Sequence, residues 1–85
     1  MSEGKLPRQL SWREFVCVLT KLGYKQMKNK RGSARSFHST MREPNLVTFH
    51  EPHGKDWIRE GTLREYLRKL KLDRDEFLKL LQGCS

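Results

Sequence analysis

The sequence predicts an α+β domain: a helix, a three-stranded antiparallel sheet, a second helix, and an extra short C-terminal helix. Three observations carry this. The apolar residues repeat every three or four positions at both ends of the chain and every two positions in the middle. A hydroxyl or carboxylate residue stands three positions before a glutamate at Ser11/Glu14, Thr62/Glu65 and Asp73/Glu76, the pattern of a helix start. The 85 residues can bury one core and not two.

Residues 1–10 are polar and aperiodic, so a flexible N-terminal arm is expected there, with a single domain over residues 11–83. The first helix starts at Ser11, whose oxygen and Glu14 serve each other's free first-turn amides. Trp12, Phe15, Val18, Leu19 and Leu22 form its apolar stripe, Cys17 points the opposite way to solvent, and Gly23 supplies the left-handed residue that ends a helix. Residues 24–28, 34–39 and 46–50 then read as strands. Asn29 with Gly32, and Pro44 with Asn45, mark the two turns that join them as antiparallel hairpins. The helical period returns at Thr62 with Leu63, Tyr66, Leu67 and Leu70, and again after Asp73 with Phe77, Leu80 and Leu81. One apolar stripe per helix and one apolar sheet face predict a shared core of Phe15, Leu19, Phe37, Val47, Phe49, Leu63 and Leu67. Trp57, in the loop before the second helix, is assigned to packing as a lid on that core.

Composition narrows the function classes. Eighteen Lys and Arg against ten Asp and Glu leave a net charge of +8. The longest apolar run, residues 15–19, is too short for a membrane span and lies too far along for a signal peptide, so neither membrane nor export is expected. Cys17 and Cys84 lack zinc-ligand spacing and the density of a disulfide scaffold, so they read as ordinary thiols in a reducing cytoplasm. No cofactor motif is present, and no metal site is expected.

The charge is uneven. Lys21, Lys25, Lys28, Lys30, Arg31, Arg35 and Arg42 fall in one segment that holds no Asp or Glu. A polyanion is drawn to such a surface because each neutralised phosphate releases a counterion, so nucleic acid is the expected partner. The alternative is a solvated basic face.

The order Gly23-Tyr24, Arg31-Gly32-Ser33 leading to Phe37, residues 44–48 (Pro-Asn-Leu-Val-Thr), His53-Gly54-Lys55 and residues 61–64 (Gly-Thr-Leu-Arg) resembles the HicA family of toxin–antitoxin ribonucleases. The resemblance runs from about Ser11 to Phe77. It implies a fold similar to the double-stranded RNA-binding domain, in agreement with the order of elements read from periodicity. It further implies cleavage of messenger RNA without a metal, and neutralisation by a HicB antitoxin.

One position departs from the family's pattern. Many members carry a His directly after the Gly-Ser pair, held to be catalytic, whereas this chain has Ala34, followed by Arg35. Attack of RNA by its own 2′-hydroxyl needs a base for that proton and an acid for the leaving oxygen, and alanine is neither. Either activity is lost or another residue serves. Ala34 fits a natural branch of the family as well as a deliberate His-to-Ala change made so that a toxic protein could be produced.

Strand alternation narrows the substitutes: Ala34, Ser36 and His38 share one face, Arg35 and Phe37 the other. If Phe37 pairs with Val47, Ala34 falls opposite His50, which makes His50 the catalytic candidate, against the plainer reading of a polar strand end. His38 is on the order of 13 Å from Ala34 along a strand, able to contact RNA but not to replace the missing ring. His53 is assigned to anchoring its loop, and a His50/His53 metal pair lacks a third ligand. Lys28, Lys30, Arg31, Ser33, Arg35 and His38 are the RNA-binding candidates, with Arg35 open to an alternative in which its stem packs beside Phe37. Tyr24, Phe37 and Phe49 could stack on bases but are expected in the core. The competing functions are an RNA-cleaving toxin, a non-catalytic RNA-binding module, and a DNA-binding helix-turn-helix formed by the last two helices. Asp73, Asp75 and Glu76 argue against the last, since they crowd the turn that would approach phosphates.

Overall fold

In a computed structural model, which describes residues 5–28 and 32–84, the chain folds as β1 (Gln9–Leu10), α1 (Trp12–Lys21), β2 (Lys25–Gln26), β3 (Ala34–His38), β4 (Leu46–His50), β5 (Ile58–Arg59), α2 (Glu60–Leu70) and α3 (Arg74–Gln82). β2, β3 and β4 form the antiparallel sheet in that order, and β1 pairs with β5 in a separate two-stranded ribbon. This is the expected α+β architecture with one addition, the ribbon.

The first helix begins as its sequence requires. Glu14 N–H donates to Ser11 Oγ at 3.1 Å, while Ser11 N–H donates back to the Glu14 carboxylate at 3.3 Å. Gly23, at φ +100°, turns the chain out of α1, a conformation that costs a side-chain-bearing residue steric strain. Cys17 differs from its expected exposure: it is half-buried and disulfide-bonded to Cys84, with the two Cα atoms 5.9 Å apart. The reading of two ordinary thiols is thereby corrected. Sixty-seven residues separate them, and such a pairing leaves no local spacing signal.

Gln9 and Leu10, expected in the arm, form β1. Leu10 is buried and β1 lies along β5, so order reaches back before Ser11. The same ribbon explains a second difference. α2 starts at Glu60, two residues ahead of the expected Thr62 box, with Arg59 in the cap position and no side-chain cap. The Arg8 carbonyl accepts the Glu60 amide at 3.0 Å, so backbone from the ribbon does the work of a cap. α2 ends with Lys71 in the left-handed region at φ 54°, where Leu72 N–H reaches back to the Leu67 carbonyl at 3.0 Å. At α3 the Asp73 carboxylate accepts the Asp75 amide.

β2 is shorter than the run read from sequence, because Tyr24 turns into the core and gives its hydroxyl proton to the Pro44 carbonyl at 2.6 Å. Both long helices cover one sheet face. Phe15 from α1 meets Phe49 edge-on with ring centres 5.0 Å apart, and Tyr66 from α2 lies 4.6 Å from Phe49. All seven expected core residues are buried. α3 lies against α1, adds Phe77 to the core, and is tied there by the disulfide and by Lys21 Nζ donating to the Leu80 carbonyl at 2.9 Å.

Closing a loop of this length restricts the unfolded chain, and the chain-entropy estimate is roughly 4 kcal/mol. In urea unfolding without reductant, Cys17→Ser is expected to lose about that much stability, and the unaltered chain to lose it on adding reductant. A loss below about 1 kcal/mol in both measurements contradicts the covalent clamp.

Candidate nucleic-acid interface

The sheet face opposite the helices is built by the register of β3 and β4. Phe37 pairs with Val47 and Arg35 with Phe49, which leaves Ala34 opposite His50, Ser36 opposite Thr48 and His38 opposite Leu46 on the other face. This is the register anticipated from the apolar alternation. β4 is an edge strand, but three of its outward backbone groups are occupied. His50 N–H donates to the Tyr66 hydroxyl at 3.3 Å, that hydroxyl donates to the His50 carbonyl at 3.2 Å, and Lys69 Nζ donates to the Thr48 carbonyl at 2.8 Å. Because the His50 and Thr48 backbones turn outward to α2, their pairs with Ala34 and Ser36 are the non-hydrogen-bonded kind, in which facing side chains come closest.

At the centre of this face the Ser36 and Thr48 hydroxyls lie 2.9 Å apart. At one end Ser33 Oγ is 3.3 Å from His50 Nδ1, so one ring nitrogen of the exposed His50 is engaged and Nε2 is left for another partner. Ser33 was expected as an RNA contact only; the β3–β4 register brings it near His50, but the contact between its hydroxyl and the ring was not anticipated. His38 lies at the far end of the same face, exposed, and not with Ala34 and His50. Lys25 pairs with His38 and so shares its face, and Leu46 there is exposed. His53 is exposed at the mouth of a hollow lined by Gly32, Ser33, Arg35, Glu51, Pro52 and Gly54. Its carbonyl accepts the Asp56 amide at 2.9 Å, so the loop is held by His53 backbone and not by its ring.

The basic segment is less uniform than its composition. Lys21 and Arg42 donate to the Leu80 and Leu70 carbonyls at the C-terminal ends of α3 and α2, where helix dipoles favour cations. Arg35 donates through Nε to Glu51 at 2.9 Å and through Nη1 to the Gly32 carbonyl at 2.7 Å. It therefore fastens the entry of β3 to the loop after β4. Lys25 and Lys28 are exposed. Lys30 and Arg31 lie outside the described residues.

Tyr24, Phe37 and Phe49 are buried and present no ring to a base. Trp57 is the reverse case. Expected as a lid, it is 44% exposed, because Ile58 beside it takes the buried position in the ribbon. Among the described residues no three His, Cys, Asp or Glu side chains gather as a metal-holding group, and no helix is long and apolar enough to cross a membrane.

No curated protein and no solved structure matches the chain. A family model does match. Residues 12–72, from the first residue of α1 to just beyond α2, match the model of the HicA toxin of bacterial toxin–antitoxin systems, and the chain belongs to that family.

Proposed function

We propose that this HicA-family chain is a messenger-RNA-directed toxin whose reaction site is the Ala34 and His50 end of the open sheet face, and that it works without a metal. The observation supporting this reading is the cross-strand pairing of Ala34 with His50, beside Ser33. The position at which the family resemblance calls for a His thus adjoins a second, exposed His. In RNA cleavage of this type a base removes the 2′-hydroxyl proton, the 2′ oxygen bonds to phosphorus, and the bond to the 5′ oxygen breaks as an acid protonates it. When Nδ1–H of the neutral His50 ring donates to Ser33, Nε2 is the base; in the doubly protonated ring Nδ1–H still donates to Ser33 and Nε2–H is the acid. A single imidazole fills one of these roles at a time, and a ring at position 34 would supply the other.

The present chain is accordingly a binder whose cleavage is impaired by Ala34, with Ser36, His38, Lys28, Lys30 and Arg31 as contacts along the RNA. Family membership brings an antitoxin partner, and a HicB-like protein is the proposed one. A cytoplasmic site of action is part of the same proposal. A reducing compartment would open the Cys17–Cys84 bond, releasing the covalent tie of α3 while Phe77 remains part of the core. The second reading, an RNA-binding module with no chemistry at all, is favoured by Ala34 alone.

In single-turnover assays with chelator present, Ala34→His is expected to raise the cleavage rate of single-stranded RNA by roughly 10²- to 10⁴-fold. Adding His50→Ala to that variant should remove most of the gain. If all of these proteins bind RNA alike and none cuts it, the module reading replaces the enzyme. Binding measured across a salt series gives a separate check. Lys28→Gln should reduce the slope of log affinity against log salt by roughly 0.7 to 1, and an unchanged slope would mean that the phosphates lie elsewhere.

A further inference from the structure

Trp57 lines a hollow with Trp12, Arg13, Pro52, Lys55 and Asp56, away from the Ala34 and His50 pair. Three features set it apart from ordinary surface. First, Trp57 is 44% exposed and presents a large aromatic surface to the hollow. Second, the two carboxylates at the hollow are already engaged: Glu51 with Arg35 at 2.9 Å, and Asp56 with Arg59 at 3.8 Å. Arg13 and Lys55 are exposed and have no ion-pair partner among the described residues. Third, this hollow and the one beside Ser33 share Glu51, Pro52 and Gly54, so the two adjoin.

We infer that the Trp57 hollow is a base-stacking subsite for one nucleotide of single-stranded RNA, adjoining the hollow beside Ser33. The inference rests on the RNA reading above and adds to it a second point of attachment. A flat aromatic platform flanked by two uncommitted cations matches a nucleotide: the base stacks on the indole while Arg13 and Lys55 meet its flanking phosphates. The hollow is about 290 Å³, at the lower end of the ~300–1,000 Å³ range of small-ligand pockets, which suits one base and not a run of them. Trp12 closes the floor. Its ring lies 6.1 Å from Phe37 and 5.8 Å from Phe15, so it is braced by the core while Trp57 is the exposed surface. The subsite also accounts for the loop of residues 51–57, where the Asp56 to His53 turn and the Asp56 carboxylate accepting the Trp57 amide at 2.9 Å fix the indole's base.

The test uses fluorescence anisotropy of an end-labelled six-nucleotide single-stranded RNA and the same oligonucleotide made abasic throughout. Trp57→Ala should weaken binding of the intact RNA roughly 5- to 100-fold, Trp57→Phe much less, and neither should change binding of the abasic strand. Urea midpoints report folding independently. If Trp57→Ala binds the intact RNA as the unaltered chain does, the subsite is overturned while the RNA reading stands. An equal loss on the abasic strand overturns stacking. If Trp57→Ala instead changes the sedimentation of the chain and leaves RNA affinity alone, the hollow is a protein contact and the inference falls. Failure of the unaltered chain to bind any RNA overturns the inference and the RNA reading together.

Discussion

The burial of Phe37, Val47 and Phe49 against α1 and α2 is the constraint on which the rest of the molecule depends. Strand side chains alternate with a period of two, so a slip of one residue between β3 and β4 would expose those rings and bury hydroxyls and imidazoles in their place. The cost of that exchange pins the register. Once pinned, it sets Ala34 against His50 and Ser36 against Thr48 on the opposite face. The placement of the site thus follows from core packing, and the Ser36–Thr48 and Ser33–His50 contacts on the open face are laid on that register. The edge of β4 is protected by the same packing, since Tyr66 and Lys69 from α2 occupy the His50 amide and carbonyl and the Thr48 carbonyl, which hinders pairing with another strand.

Charge is used twice in this chain. Lys21, Arg35 and Arg42 belong to the acid-free segment that points to a polyanion, yet each is spent inside the fold, on a helix terminus or on Glu51. Among the described residues of that segment Lys25 and Lys28 stay exposed on the β2 side, and Arg13 and Lys55 stand exposed beside Trp57. The open face lies between them. A strand of RNA following this arrangement would meet hydroxyls and imidazoles at the sheet and cations at its margins, an arrangement suited to positioning a backbone more than to reading bases.

How much of this was legible in the sequence divides along sequence separation. The Ser11 and Glu14 cap, the Gly23 turn and the Asp73 cap are local, and each is found where its spacing puts it. The core and the β3–β4 register follow from one alternating run facing another, which is why Ala34 opposite His50 could be anticipated. The β1–β5 ribbon was missed because two-residue strands carry no period, and with it the true start of α2, which Arg8 caps from across the fold. Lys71 in a left-handed conformation gave no glycine signal. The disulfide joins residues 67 apart, and Trp57 is exposed because Ile58 claims the ribbon's inner side. None of these could be read from neighbours.

RNA bound as proposed lies on the open face of the sheet. Titrating a short single-stranded RNA into ¹⁵N-labelled protein and following backbone amide shifts tests it residue by residue. The account predicts the largest changes at Ser33, Ala34, Ser36, Thr48 and His50, with Cys17 and Leu80 on the α1–α3 side unmoved. Changes confined to α1 and α3, with the open face silent at saturating RNA, would contradict it.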